Sequence, residues 1–225
     1  MSARDIETIT IAIVGKTGHG KSSTGNTILR QNAFEESSYC TDSTEILGLR
    51  RKYFDNYLLK VYDLPGVKST SFSQDHINRQ LQSLMDSASQ IDLFMFVFSY
   101  TCRFTAEEEA SLCDLQKVFG NDFLKNHGII VITYGDSCSK DASERNITPD
   151  QAFRKWCENS GEKFKRIKNL VSGRILLVYN KGSFEDNERL ESSKKMHEMA
   201  IKMFKKRTPY TKEDFDKINS KCIIL

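Results

Sequence analysis

Patterned cysteine pairs are missing from this 225-residue sequence. Its six cysteines include no Cys-x-x-Cys pair and show no regular spacing. Disulfide scaffolds and structural zinc sites both depend on such spacing. We therefore expect reduced thiols in a cytoplasmic protein, most of them as small core residues.

Long apolar runs and a strong charge of either sign are also missing. The most apolar stretch, 91–98, is far shorter than the roughly 20 residues of a transmembrane helix. The first residues lack the apolar segment of a signal peptide, and Ser2 stands where N-myristoylation requires glycine. A net charge of +3 is too small to predict a nucleic-acid partner. The length favours one domain over 1–207, followed by a flexible basic tail over 208–225.

An apolar, β-branched run at 9–14 is followed by Gly-Lys-Thr-Gly-His-Gly-Lys-Ser at 15–22 and by helix-forming residues through Leu29. This order of strand, glycine-rich loop and helix is the pattern of a phosphate-binding P-loop. Lys21 is expected to reach the β- and γ-phosphates, and the Ser22 hydroxyl to coordinate Mg²⁺. The residues expected to contact the nucleotide here are Gly15, Lys16, Thr17, Gly18, His19, Gly20, Lys21, Ser22 and Ser23.

A polar stretch at 31–44 has the length and position of a nucleotide-sensing switch loop. In such loops one threonine completes the Mg²⁺ shell when the γ-phosphate is present. Thr41 and Thr44 are both candidates. An ordinary solvated loop without a ligand is the alternative for either residue.

Two β-prone runs at 46–54 and 57–62 flank Asp55-Asn56, which predicts a tight hairpin. The second run ends in Asp63-Leu-Pro-Gly66. An acidic residue at the end of a buried strand, before a glycine-containing turn, has the form of a Walker-B aspartate. We expect Asp63 to hold Mg²⁺ through water and the Gly66 N–H to contact the γ-phosphate.

The rest of the sequence alternates between strand and helix patterns. Strands are predicted at 91–98, 128–133 and 174–179, and helices at 74–88, from a Thr105/Glu108 capping box through 118, from Pro149, and at 185–207. This alternation predicts a three-layer α/β domain with a mostly parallel six-stranded sheet and helices on both faces. Because ligands bind at the carboxyl ends of parallel strands, the motifs that follow the strands are expected to share one pocket.

Strand ends also supply candidate base contacts. A buried carboxylate that accepts from guanine N1–H and N2–H₂ selects guanine over adenine, and Asp136 is placed to be that acceptor. Thr133 belongs to the same segment, Tyr134 can stack on the base, and Asn180 can close the pocket from the other side. The alternative for Asp136 is a carboxylate that caps a turn.

These motifs together resemble those of the immunity-associated GTPases, the GIMAP or AIG type, in the septin- and Toc-like branch of P-loop GTPases. The matching segments span roughly 8–204, and the most specific are Thr24-Gly-Asn26 after the P-loop and Arg103-Phe-Thr105. Thr133-Tyr-Gly-Asp136 is a further match, in place of the Asn-Lys-x-Asp box usual in other P-loop GTPases. The sequence departs from the family at Leu64, where threonine is usual.

The resemblance implies a slow GTPase that binds GTP or GDP with Mg²⁺ and forms homodimers or oligomers in the GTP state. Counting back from Asp63 places the switch threonine at Thr44. No glutamine follows Gly66 until Gln74, so slow intrinsic hydrolysis is expected. Arg103 is a candidate arginine finger supplied in trans, with pairing to glutamates of its own helix as the alternative. Catalytic roles thus fall on Lys21, Thr44, Gly66 and Arg103.

The chain ends in Cys222-Ile-Ile-Leu, the form of a geranylgeranylation signal. Nearby lysines favour an anionic leaflet, so we expect attachment to the cytosolic face of a membrane through Cys222. The predicted function is a membrane-anchored, nucleotide-dependent oligomerisation switch. The alternatives are a GTP-binding scaffold without hydrolysis and, with less support, a P-loop ATPase or kinase, which would leave Asp136 without a role.

Overall fold

The computed structural model describes residues 6–36, 47–66, 74–102, 104–206 and 208–222. Within these ranges the chain alternates between strands and helices, as the sequence predicts. The strands are β1 (Glu7–Gly15), β2 (Gly48–Phe54), β3 (Tyr57–Asp63), β4 (Gln90–Ile91), β5 (Leu93–Ser99), β6 (Gly128–Thr133), β7 (Ile175–Leu177) and β8 (Tyr210–Thr211). The helices are α1 (Lys21–Leu29), α2 (Gln74–Ala88), α3 (Ala106–Phe119), α4 (Phe123–His127), α5 (Gly135–Glu144), α6 (Pro149–Asn159), α7 (Gly161–Leu170), α8 (Asn187–Lys206) and α9 (Lys212–Cys222).

Six strands form one sheet in the order β2-β3-β1-β5-β6-β7. Four of its five pairings are parallel, and the β2–β3 hairpin is antiparallel. Phe54 lies opposite Tyr57 across the turn, where Asp55 adopts a left-handed conformation with φ of 49°. The predicted mostly parallel six-stranded sheet is confirmed. Since β1, β3, β5, β6 and β7 run in the same direction, their carboxyl ends meet at one edge.

Both faces of the central strands are buried. Along β1, Ile11 and Ile13 pack against α1 and α8, whereas Ala12 and Val14 pack with side chains of α2 and α3. Since successive side chains of a strand point to opposite faces, a run of apolar residues without alternation is what a strand between two helical layers requires. Helices on both faces of the sheet are therefore confirmed.

Two predicted helix starts are present. Thr148 and Gln151 form the reciprocal bonds of a capping box at the start of α6, with Pro149 as the first helical residue. At the start of α3, the Glu108 carboxylate accepts a hydrogen bond of 2.9 Å from the Thr105 backbone N–H. This second cap lies beside the P-loop, which gives it a further consequence described below.

The segment that the sequence analysis assigned to a flexible tail differs from that prediction over residues 210–222. β8 pairs with β4, and α9 packs against α2 and α3. Phe215 is 2% exposed and contacts the Phe119 ring, and the Asn219 amide donates to the Val118 carbonyl at 3.2 Å. A flexible tail was predicted because this segment is rich in charged residues. Its few apolar residues lie on one side of a short helix and are sufficient to pack it against the domain.

The elements predicted between β6 and the end of β7 also differ from those observed. The stretch 137–147, for which no helix or strand was predicted, mostly continues α5, and α7 follows α6 after a turn at Ser160. The last strand of the sheet, β7, has three residues, fewer than the six expected. In the part of the chain that the structure describes, no helix has the length and apolar character needed to cross a bilayer.

Candidate functional site

The P-loop connects β1 to α1 at the carboxyl edge of the sheet. Gly15, Gly18 and Gly20 all have positive φ, so the three predicted loop glycines adopt the conformations that such a loop needs. Gly20 is the N-cap residue of α1. The first backbone N–H groups of α1, together with the positive end of its dipole, therefore face the loop and favour an anion there.

A buried positive charge lies at the start of α1. Lys21 is only 8% exposed, and its Nζ lies 3.3 Å from the Lys16 carbonyl oxygen. Burial lowers the pKa of Lys21, and the nearby Asp63 carboxylate partly opposes that shift. A desolvated ammonium is costly unless an anion compensates it. The arrangement therefore fits a bound phosphate group.

Ser22 and Asp63 form the predicted magnesium pair. The Ser22 hydroxyl donates to Asp63 Oδ2 at 2.6 Å, and Asp63 Oδ1 is buried with no hydrogen-bond partner among the described residues. Burial raises the pKa of Asp63, opposed by the Ser22 bond and by Lys21. A hydroxyl and a carboxylate are hard oxygen donors of the kind that Mg²⁺ prefers, and the unpartnered oxygen is a place for a ligand water. The residues present fit the ion.

The loop after β3 lies directly against the P-loop. A Cβ atom at Gly66 would come within 2.1 Å of Thr17 Oγ1 and 2.7 Å of the Thr17 backbone nitrogen. Any side chain at this position would therefore push the two loops apart. Gly66 is thus close to the phosphate loop, as its predicted contact with the γ-phosphate requires.

Hydrogen bonds join the end of β6 to the same loop. The Thr133 hydroxyl lies 2.8 Å from the His19 carbonyl oxygen and 3.1 Å from that of Phe98. The Tyr134 hydroxyl donates to the Gly18 carbonyl at 3.1 Å. These two residues therefore fix the position of the P-loop relative to the segment that carries Asp136.

Asp136 lies in the first turn of α5 and forms an ion pair of 2.6 Å with Lys181. The Asp136 side chain is 35% exposed and that of Lys181 70% exposed. The neighbouring Asn180 donates from Nδ2 to Thr24 Oγ1 at 3.1 Å, and its Oδ1 is buried with no partner among the described residues. The loop after β7 thus reaches both α1 and Asp136.

Four predicted residues cannot be placed in the site. Thr41, Thr44 and Arg103 lie outside the described residues, and the side chain of Cys222 does so as well. The residues around Arg103 are informative nevertheless. The Phe104 ring contacts Phe98, and the Glu108 carboxylate lies 3.9 Å from Lys16 Nζ. The start of α3 therefore lies beside the P-loop and the end of β5.

Sequence reasoning missed a polar clamp on α1. Asn26 Oδ1 accepts from the backbone N–H groups of Ala33 and Phe34 at 2.9 and 2.7 Å. Asn26 Nδ2 donates to the Phe34 carbonyl at 2.9 Å and to the Glu36 carboxylate at 2.8 Å. The Ser23 hydroxyl donates to the other Glu36 oxygen at 2.7 Å. This clamp fixes the entrance to the predicted switch loop.

The lack of a side chain at Gly25 explains the middle position of the Thr24-Gly-Asn26 motif. A Cβ atom at Gly25 would lie 2.7 Å from the Phe34 ring. The ring therefore packs directly on the backbone of α1, and Asn26 can then reach the main chain on both sides of Phe34. The motif was available in the sequence, but its structural role was not apparent without the position of residues 33–36.

The sequence profile of the AIG1 family matches residues 9–223. Immune-associated nucleotide-binding protein 1 of Arabidopsis thaliana is 28% identical over 224 residues, covering 98% of this chain and 96% of that protein. Immune-associated nucleotide-binding protein 10 of the same plant is 32% identical over 188 residues, covering 83% of this chain. The chain spans only 39% of that longer relative.

Solved structures of Toc33 from Arabidopsis thaliana have a similar fold. A dimerization-deficient mutant superimposes with a TM-score of 0.69 at 15% identity, covering 92% of this chain and 88% of that one. Toc33 in complex with GDP and Mg²⁺ gives a TM-score of 0.65 at 17% identity, with the same coverage. At this level of identity the likeness establishes the G-domain fold.

The clamp gives a testable prediction. Asn26→Ala removes four hydrogen bonds, and we expect it to lower the free energy of unfolding by about 2–4 kcal/mol, because buried backbone groups lose their partners. Asn169→Ala, at an exposed position on α7, is the matched control and should change it by less than about 0.5 kcal/mol. Urea denaturation measures both. Equal effects of the two substitutions would contradict the clamp.

Proposed function

The chain belongs to the AIG1 family, and on this premise we propose that it binds GTP and GDP with Mg²⁺ and hydrolyses GTP slowly. The observation that carries the proposal is the convergence of the β1, β3 and β6 ends on the buried Lys21 ammonium. The names of the relatives describe nucleotide-binding proteins, and one Toc33 structure with this fold holds GDP and Mg²⁺.

Each phosphate contact has a residue suited to it. The backbone N–H groups of the P-loop and of the first turn of α1 would donate to phosphate oxygens, and Lys21 would neutralise their charge. Ser22 and Asp63 would hold Mg²⁺, which would supply further neutralisation of the phosphate charge. The Gly66 N–H would contact the γ-phosphate. The switch threonine, for which Thr44 is preferred to Thr41, would complete the Mg²⁺ shell.

Asp136 is proposed to select guanine. Its carboxylate accepts two hydrogen bonds from the base, and adenine has no donors in that arrangement. Lys181, paired with Asp136, would orient the carboxylate. This assignment gives Asp136 a role that a P-loop ATPase or kinase would leave unexplained.

Slow hydrolysis is inferred from the sequence after Gly66. Val67 and Lys68 follow it, and the first glutamine is Gln74, so the residue that orients the attacking water in Ras-like enzymes is missing. A group from a second copy of the chain could supply the missing stabilisation. A GTP-binding scaffold without useful turnover is the alternative, and single-turnover hydrolysis distinguishes the two.

We propose that GTP drives self-association and that Arg103 acts in trans. The support is indirect: Phe104 and Glu108, which follow Arg103 in the sequence, contact residues at the carboxyl edge of the sheet, the edge that a second copy would approach across the nucleotide. One solved structure with this fold is described as showing that dimerization is important for the GTPase activity of chloroplast translocon components.

We also propose that the protein is held at the cytosolic face of a membrane through geranylgeranylated Cys222. The Cys-Ile-Ile-Leu sequence supports the lipid, and Leu225 favours the geranylgeranyl chain. A single chain usually needs a second signal, which nearby lysines such as Lys212 and Lys217 supply. Both lysines pair with acidic neighbours on α9, so their contribution is modest.

Base selection is tested at Asp136. Asp136→Ala should weaken GTP binding about 100-fold or more and leave ATP binding unchanged, because two hydrogen bonds to a carboxylate are lost. Asp136→Asn should favour xanthosine triphosphate, whose 2-oxo group accepts a bond where guanine donates one. Lys181→Ala is the control and should cost less than about tenfold, because exposed ion pairs contribute little. Calorimetry measures the affinities, and an Asp136→Ala variant that still prefers GTP refutes the assignment.

Turnover per enzyme, measured against enzyme concentration, tests the arginine finger. We expect the wild-type rate constant to rise with concentration, and Arg103→Ala to abolish that rise and to lower the maximal rate about 100-fold or more. Arg154→Ala, which removes an exposed charge on α6, should leave the curve unchanged. A wild-type rate that is independent of concentration and unaffected by Arg103→Ala would exclude a role in trans.

Membrane attachment is tested by cell fractionation. Cys222→Ser should move the protein from the membrane fraction to the soluble fraction, because the lipid contributes most of the affinity. Cys113→Ser, at an exposed position on α3, should leave the distribution unchanged. Membrane recovery of Cys222→Ser equal to that of the wild type would show that the anchor lies elsewhere or does not exist.

A further inference from the structure

A small cavity lies between the P-loop and the start of α3. Its volume is about 10 Å³, and its walls include His19, Cys102, Glu108 and Trp156. This volume is close to the minimum that holds one water molecule. The cavity thus places a thiol, an imidazole and a carboxylate together at the edge of the sheet that carries the P-loop.

His19 has an unused hydrogen-bonding atom. The residue is 6% exposed, its ring bonds to the Val97 carbonyl, and Nδ1 is buried with no partner among the described residues. Burial lowers the pKa of His19, although the Glu108 carboxylate opposes that shift. An imidazole that donates from Nε2 to Val97 has a lone pair on Nδ1, which can accept a proton from a donor in the cavity that His19 lines.

The described cysteines differ in accessibility. Cys138 and Cys157 are buried, and burial raises the pKa of both thiols, that of Cys157 to about 11. Cys102 and Cys113 are exposed. Cys102 follows β5 at the nucleotide edge and lines the cavity with His19, whereas Cys113 lies in the middle of α3. Cys102 therefore has both access to solvent and a nearby base.

We propose that Cys102 is a modification site for small disulfides of the glutathione type and that the adduct weakens nucleotide binding. His19 takes the thiol proton, and the Cys102 thiolate attacks one sulfur of the disulfide. The S–S bond of the reagent breaks, a new S–S bond to Cys102 forms, and the departing thiolate takes the proton from His19. Glu108 stabilises the imidazolium in between.

The adduct would act on the P-loop by charge and by volume. A glutathionyl group carries carboxylates, and Lys16 lies beside the same cavity, 3.9 Å from Glu108. Those carboxylates would compete with nucleotide phosphates for the lysines of the loop. This effect rests on the proposed nucleotide-binding function, whereas the selective reactivity of Cys102 does not.

The experiment incubates the full chain with glutathione disulfide and follows each cysteine by peptide mass spectrometry. We expect Cys102 to react about tenfold or more faster than Cys113, and His19→Asn to lower the Cys102 rate towards that of Cys113. Continued protection of the buried Cys138 and Cys157 in His19→Asn shows that this variant is folded. The adduct should weaken GTP binding about tenfold or more in the wild type and in Cys113→Ser, and Cys102→Ser should retain its affinity.

Two results would overturn the inference. One is a Cys102 rate no higher than that of Cys113, and the other is a full Cys102 adduct that leaves GTP affinity unchanged. Failure of the proposed function looks different, because the unmodified chain would then not bind GTP at all while the difference between the two thiols could still be measured.

Discussion

Burial of the Lys21 ammonium is the constraint on which the arrangement at the carboxyl edge depends. An ammonium that is 8% exposed is costly to hold without an anion, and the Asp63 carboxylate, itself 2% exposed, compensates it only in part because it also accepts from Ser22. The backbone dipoles of α1 point to the same place and add to the positive potential. The fold thus maintains a site whose electrostatic balance is completed by a bound polyanion.

Strong binding of a polyanion at this site is favoured when the surrounding loops keep their positions without the ligand. Thr133 and Tyr134 connect the end of β6 to the P-loop through side-chain hydroxyls, and the close approach of Gly66 to Thr17 connects the end of β3. Asn26 holds the chain that leaves α1. These hydrogen bonds join side chains to main-chain carbonyl or N–H groups. They therefore fix the position of the backbone, whose N–H groups bind phosphate in a P-loop. Preorganisation of this kind lowers the cost of ordering the loops when a ligand binds.

The sequence was informative where local chemistry determines structure and less so where packing does. A run such as 9–14 followed by three loop glycines specifies a strand, a turn and a helix start within a few residues, so β1, the P-loop and α1 were predictable. The same holds for Asp63, because a carboxylate at a strand end has few structural roles. Asn26 was not predictable, because its four partners belong to residues 33–36, whose position depends on the Phe34 ring packing against Gly25. The packing of α9 was not predicted, because the segment has many charged residues and few apolar ones. The two apolar side chains Tyr210 and Phe215 are nevertheless buried, and their burial holds the segment against the domain.

Helix α3 connects the two ends of the domain physically. Its first turn contacts the P-loop through Glu108 and Lys16, and its last residue, Phe119, packs against Phe215 of α9 and Tyr210 of β8. Because α3 is a single packed helix, a displacement of its first turn by a ligand at the P-loop would have to be absorbed either by the aromatic contacts at its far end or by bending of the helix. The aromatic contacts are closely packed and resist small shifts. A change at the P-loop that moves α3 would therefore also move α9, and with it the segment that carries Cys222.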